Sequence, residues 1–184
     1  MSRVPLIDPA TATGAAAEQL AAAQRTMGVT PNMAKAMANS PAALKGFLGL
    51  FGALKQGVLS AALQERIALA VAEANGCSYC LSAHTMVSRN VVELPEEEIE
   101  AARRGHSAEP KADAALSLAL AITHNRGPVE KEAFDAARKA GLSDEEIVEV
   151  IANVARNIFT NYVNEALEVD VEWPLVTPFA RTSA

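Results

Sequence analysis

Apolar positions recur along most of this chain at steps of three and four residues, the spacing of one face of an α-helix; the two-residue alternation of a half-buried strand is rare. Breakers divide the pattern. Ala15 to Met27 reads as a helix ended near Gly28. Thr30-Pro31 offers an N-cap and a first helical residue for a short helix through Met33, Ala34 and Met37 to Asn39. Ser40-Pro41 repeats that signal. The helix from Pro41 to Gln56 holds Leu44, Phe47, Leu48, Leu50, Phe51 and Leu54 and is apolar nearly all round, so it reads as central or as packed on another subunit. Ser60 caps Ala61 to Ala74, with a core stripe of Leu63, Ile67, Ala70, Val71 and Ala74. Asn75-Gly76 breaks the chain, and a new helix from about Cys77 to Asn90 packs through Leu81, Met86 and Val87, leaving Ser82, Thr85 and Ser88 as uninformative polar positions.

The second half continues in the same way. Leu94-Pro95 opens a helix ending at Gly105, and further helices span Lys111 to Asn125 and Val129 to Ala140. Ser143 with Glu146 is a capping box before a long helix to Leu167, whose expected stripe is Ile147, Val150, Ile151, Val154 and Ile158, with Tyr162 as its candidate continuation. Asn153, Asn157, Asn161 and Asn164 recur along it as surface or inter-helix hydrogen-bonders, one of which is a candidate to line a site. Leu94-Pro-Glu-Glu-Glu-Ile99 echoes Leu142-Ser-Asp-Glu-Glu-Ile147, a faint internal repeat of two helical hairpins. The expectation is an all-α fold of helical hairpins in a single domain, 1–184. It includes an N-terminal extension, 1–40, and a C-terminal arm, 168–184, whose Trp173 and Phe179 pack on this domain or on a neighbouring subunit.

Composition sharpens this picture. Half of the residues are hydrophobic but aromatics make up only 4%, which with abundant alanine favours helices packed closely on helices. The net charge of −6 comes with no basic patch, which argues against a nucleic-acid partner. The longest apolar run, Ala42 to Leu54, is interrupted by Lys45 and too short to span a bilayer. No basic region followed by an apolar run opens the sequence, so the expected location is cytoplasmic. There a pair of cysteines points to catalysis or metal binding rather than to a permanent staple.

Both cysteines lie in Glu73-Ala-Asn-Gly-Cys77-Ser-Tyr-Cys80-Leu-Ser-Ala-His84. Offsets of three and four residues put Cys77, Cys80 and His84 on one helix face near a helix start. A helix N-terminus favours a thiolate, an imidazole can relay its proton, and two thiols at i and i+3 can close a disulfide. On this reading Cys77 is exposed and Cys80 titrates. His106 reads as solvated and His124 as a helix C-terminal histidine. The residues leave other readings open. Cys77, Cys80, His84 and Glu65 are four plausible zinc ligands, though three of them crowd one helix. The chain is also compatible with a non-enzymatic helical oligomer whose cysteine pair senses oxidants.

The run from Glu65 through Cys77-Ser-Tyr-Cys80 to His84 resembles the core of the AhpD-like alkylhydroperoxidases of the carboxymuconolactone decarboxylase superfamily. The family pattern is a Glu, Cys-x-x-Cys twelve residues on, then x-x-x-His, with Asn-Gly before the first Cys. Leu142 to Asn161 resembles the superfamily's later helices, so the likeness spans about Pro41 to Ala166. It implies a thiol peroxidase that reduces small hydroperoxides without a cofactor and is recycled by a dithiol or thioredoxin-like reductant. It also implies a homotrimer or homohexamer. By position Cys80 is then the peroxidatic thiol, Cys77 the resolving thiol, and His84 with Glu65 the proton relay. Tyr79 stands where well-known members carry His, and is an accessory position able to donate a hydrogen bond. The lactone-decarboxylase branch does not rely on the cysteine pair, and the intact pair argues against it.

Overall fold

A computed structural model describes residues 1–179 of the chain. Among the described residues it holds nine α-helices and no strand: α1 (Gly14–Met27), α2 (Asn32–Met37), α3 (Pro41–Leu54), α4 (Ala61–Asn75), α5 (Ser78–Asn90), α6 (Glu96–Arg103), α7 (Pro110–Asn125), α8 (Lys131–Lys139) and α9 (Asp144–Leu167). The starts follow the capping chemistry. Ser40 and Ser60 accept the N–H groups of Ala43 and Leu63, and Ser143 and Glu146 form the complete capping box that opens α9.

The core divides in two. One cluster joins α4, α6, α7, α8 and α9; the other joins α1, α2, α3, the start of α5 and the C-terminal arm. Helix α4 contributes to both, which is why Ile67, Ala68, Leu69, Ala70, Val71 and Ala72 are all fully buried. The one-sided stripe expected of α4 is therefore too narrow. The central helix is α4, not α3, which leaves Leu50 and its glycines Gly46 and Gly49 exposed. The repeat has a packing counterpart: Leu94 and Leu142, and Ile99 and Ile147, are buried in the same cluster.

Three local expectations change. Helix α2 starts one residue late, because Thr30 bonds Gln24 Oε1 instead of capping; the N–H groups of Asn32 and Met33 donate to Glu172 and to the Tyr79 hydroxyl. On α5, Leu81 is buried as expected, but Ser82, Thr85 and Ser88 are buried with it, while Met86 and Val87 are half-buried. The amide series of α9 is not on the surface: Asn153, Asn157, Asn161 and Asn164 are all buried.

The arm packs on its own domain. Trp173 lies against the second cluster, and Phe179 sits under the guanidinium groups of Arg103 and Arg104, at 4.0 and 4.2 Å. Glu73 holds this end down by pairing with Arg103 at 2.8 Å and accepting the Phe179 N–H at 2.7 Å. Residues 180–184 of the expected arm lie outside the described residues. At the other end, Arg3 donates to the Leu167 and Ala166 carbonyls, strapping the N-terminal lead to the end of α9.

Candidate active site

The site begins with a turn. Gly76, at φ 71°, takes the left-handed conformation that ends α4. Its N–H donates to the Glu73 carbonyl at 3.1 Å and the Cys77 N–H to the Ala72 carbonyl at 2.9 Å, the paired bonds of a Schellman closure. The next residue already caps α5: the Cys77 sulfur accepts the Cys80 N–H at 3.3 Å. One residue thus closes one helix and starts another, which fixes both thiols against α4.

Both cysteines are free thiols. Cys77 is fully buried, contrary to the exposed position expected of it, because an N-cap in a two-residue turn faces into the packed helix junction. Cys80 is 3% exposed and is the thiol that reaches the neighbouring cleft. Its sulfur accepts the Asn164 amide N–H at 3.2 Å. Hydrogen bonding from the Cys77 thiol, with the positive charge of His84 and the amides of Asn164 and Asn161, outweighs burial and lowers Cys80 from 9.0 to about 7. The same contact, with burial, pushes Cys77 far above the ordinary thiol range. The pair is therefore unequal, with one thiolate and one proton donor.

His84 stands one turn beyond Cys80, and its Nδ1 lies 2.8 Å from Glu65 Oε2 on α4. Burial alone would lower the imidazole pKa, but the charge and hydrogen bond of Glu65 prevail and raise it. Glu73, the other carboxylate of α4, is committed to Arg103 and the arm. Tyr79 turns away from the thiols: its hydroxyl accepts from the Met33 N–H at 3.1 Å and donates to Glu172 at 2.9 Å. His106 is exposed beside Asp113, and His124 is exposed in the last turn of α7.

Cys80, His84 and Glu65 open on a cleft of about 330 Å³ walled by Met33, Phe47, Phe51, Met86, Val87 and Trp173. Its polar lining includes Asn157, Asn164 and Arg156 of α9. Arg156 escaped the sequence reading. Its signal, a lone Arg amid the Asn series of an apolar helix, was present, but only the fold shows that it is 5% exposed and faces the cleft. Among the described residues, no cluster of three or more His, Cys, Asp or Glu side chains is placed to hold a metal ion, and the alternative zinc set of Cys77, Cys80, His84 and Glu65 is not gathered as one. Among the same residues no helix is long and apolar enough to cross a membrane.

Residues 41–125, from the start of α3 to the end of α7, match the carboxymuconolactone decarboxylase family. This span holds Glu65, both cysteines and His84. No curated protein matches the sequence. Solved structures are similar throughout. A peroxidase-related protein with an alkylhydroperoxidase AhpD core from Ralstonia eutropha JMP134 is 24% identical with a TM-score of 0.81, over 93% of this chain and 92% of that one. A peroxidase-related protein from Silicibacter sp. TM1040 is 24% identical with a TM-score of 0.77, over 92% and 91%. The debrominase Bmp8 is 24% identical with a TM-score of 0.71, over 85% and 86%. At these identities the structural likenesses show an AhpD-like fold, and within it residues 41–125 are similar to the carboxymuconolactone decarboxylase family.

Proposed function

We propose that the protein is a thiol-dependent peroxidase that reduces small hydroperoxides through Cys80 and Cys77. The observation that carries this reading is the unequal thiol pair beside a Glu65–His84 couple at the wall of an apolar cleft. The Cys80 thiolate attacks the hydroperoxide; the O–O bond breaks, one oxygen stays on sulfur as sulfenic acid, and the alkoxide leaves as alcohol with a proton from His84. The Cys77 thiol then attacks the sulfenic sulfur. A disulfide forms and the hydroxyl leaves as water with the Cys77 proton. A dithiol or thioredoxin-like reductant restores both thiols by exchange. Glu65 orients His84 and favours its charged form, and the Asn164 amide steadies the Cys80 sulfur. The two peroxidase-related structures support the reading by likeness of fold. The exposed side of α9 further supports assembly as a homotrimer or homohexamer.

The test is an intact-mass and thiol count before and after one equivalent of organic hydroperoxide. Wild type loses both thiols to an internal disulfide, whereas Cys77→Ser traps an oxidised Cys80 and Cys80→Ser keeps its thiol. Survival of both wild-type thiols refutes the proposal. A parallel run with 2,3,4-tribromopyrrole, the ligand solved in complex with a variant of the debrominase Bmp8, separates peroxide from carbon–bromine chemistry.

A further inference from the structure

The cleft contains a cation with no counter-ion of its own. Arg156 is 5% exposed, and its Nη2 is buried without a hydrogen-bond partner among the described residues. A guanidinium carries five N–H donors and stays charged in proteins, so leaving one buried and unsatisfied is costly unless something else accepts from it. Its surroundings among the described residues do not supply that acceptor. Phe51 lies 5.4 Å from the guanidinium carbon and offers only its ring face. Glu65 acts on Arg156 through its charge, but its Oε2 bonds His84.

The charges of the cleft point the same way. Its titratable lining groups with charge to contribute are Lys55, Arg156 and His84 on the positive side and Glu65 and the Cys80 thiolate on the negative side. Lys55 is exposed at the rim and its Nζ donates to the Thr26 carbonyl, and His84 pairs with Glu65, which leaves Arg156 as the buried cation of the lining with no carboxylate bonded to it among the described residues. The remaining wall is apolar and carries the protein's one tryptophan, Trp173. Such a cavity suits a ligand with an apolar body and one anionic end.

We propose that Arg156 is the anion anchor of this cleft and that its ligand is an apolar molecule bearing one carboxylate. This rests on the peroxidase reading and deepens it by naming the substrate class: a carboxylate-bearing organic hydroperoxide, held at its acid end by Arg156 while the peroxide meets Cys80. A planar carboxylate matches the guanidinium fork and can take both of its forward N–H groups. The anchor lies on α9, beyond the family-matched span of 41–125, whereas the thiols and the relay lie within it.

The experiment needs no turnover, so its outcome is independent of the peroxidase proposal. Decanoate and methyl decanoate, neither a peroxide, are titrated into the reduced full chain, with Trp173 fluorescence as the readout. Decanoate is expected to bind at least ten-fold more tightly than the ester, about 1.4 kcal/mol. Arg156→Gln should abolish that preference, and Arg156→Lys, which keeps the charge without the fork, should retain part of it. Equal binding of acid and ester by the wild type overturns the proposal without recourse to a variant. So does an acid preference that survives in folded Arg156→Gln. If the preference is present here but hydroperoxide leaves both thiols intact, the anchor stands and the peroxidase reading falls.

Discussion

At the scale of single residues, what distinguishes Cys80 from Cys77 is who donates to whom. Cys80 collects hydrogen bonds and faces a positive imidazole; Cys77 donates and is sealed from solvent. A thiolate is the reacting species, so Cys80 should alkylate slowly below neutrality and faster as pH rises through about 7. The midpoint belongs to the Cys80–Cys77 pair rather than to either thiol alone. The Cys77 hydrogen bond lowers the thiol most and the His84 charge adds to it, so His84→Gln should move the midpoint upward from about 7. Iodoacetamide rates across pH would check this, and an unmoved midpoint would remove His84 from the account. The identities of these residues were legible in the sequence because their spacing is local. Arg156 and Asn164 were not singled out there, since nothing along the chain shows which of α9's polar residues turn inward.

At the scale of elements, the site depends on a turn of minimal length. Gly76 holds φ 71°, which a side chain tolerates poorly. Gly76→Ala should cost about 1–2 kcal/mol in denaturant unfolding, with the Cβ meeting nothing within 4 Å, so the penalty is backbone strain and not a clash. A stability change near zero would show that this turn has other conformations available. Elsewhere, termination and capping were legible from sequence, as Ser40, Ser60 and the Ser143–Glu146 box illustrate. The exceptions have tertiary causes. Helix α2 starts late because Glu172 and Tyr79, distant in sequence, satisfy its first N–H groups. On α5 the buried face takes in the small polar Ser82, Thr85 and Ser88 as well as Leu81, because a packed helix junction selects size and shape as well as hydrophobicity.

At the scale of the whole molecule, α4 separates two cores and carries Glu65 between them, while α5 and α9 bring His84, Cys80, Asn164 and Arg156 to the same cleft. Long-range polar contacts hold this arrangement. Glu149 of α9 accepts the Val58 and Leu59 N–H groups at 2.9–3.0 Å, and it approaches Gly57 so closely that a Cβ there would lie 2.2 Å from its carboxylate. One face of α9 remains outward: Val148, Ile151, Phe159 and Tyr162 are exposed at helical spacing. A homotrimer or homohexamer would cover such a face. Light scattering on the full chain should give three or six times the chain mass; a monomer at micromolar concentration would refute the assembly.

Local chemistry along the chain was enough for the helices, most of their boundaries, and the shared helix face of Cys77, Cys80 and His84, because caps, breakers and helical offsets act over a few residues; Glu65 was marked out from Glu73 only by the family resemblance. Packing had to settle that α4 rather than α3 is central, that Cys77 is buried, that Tyr79 serves the arm, and that a buried arginine faces the cleft. Those are questions of which faces meet. They are answered by burial and by polar groups finding partners across the fold, and no local pattern in the chain contains that pairing.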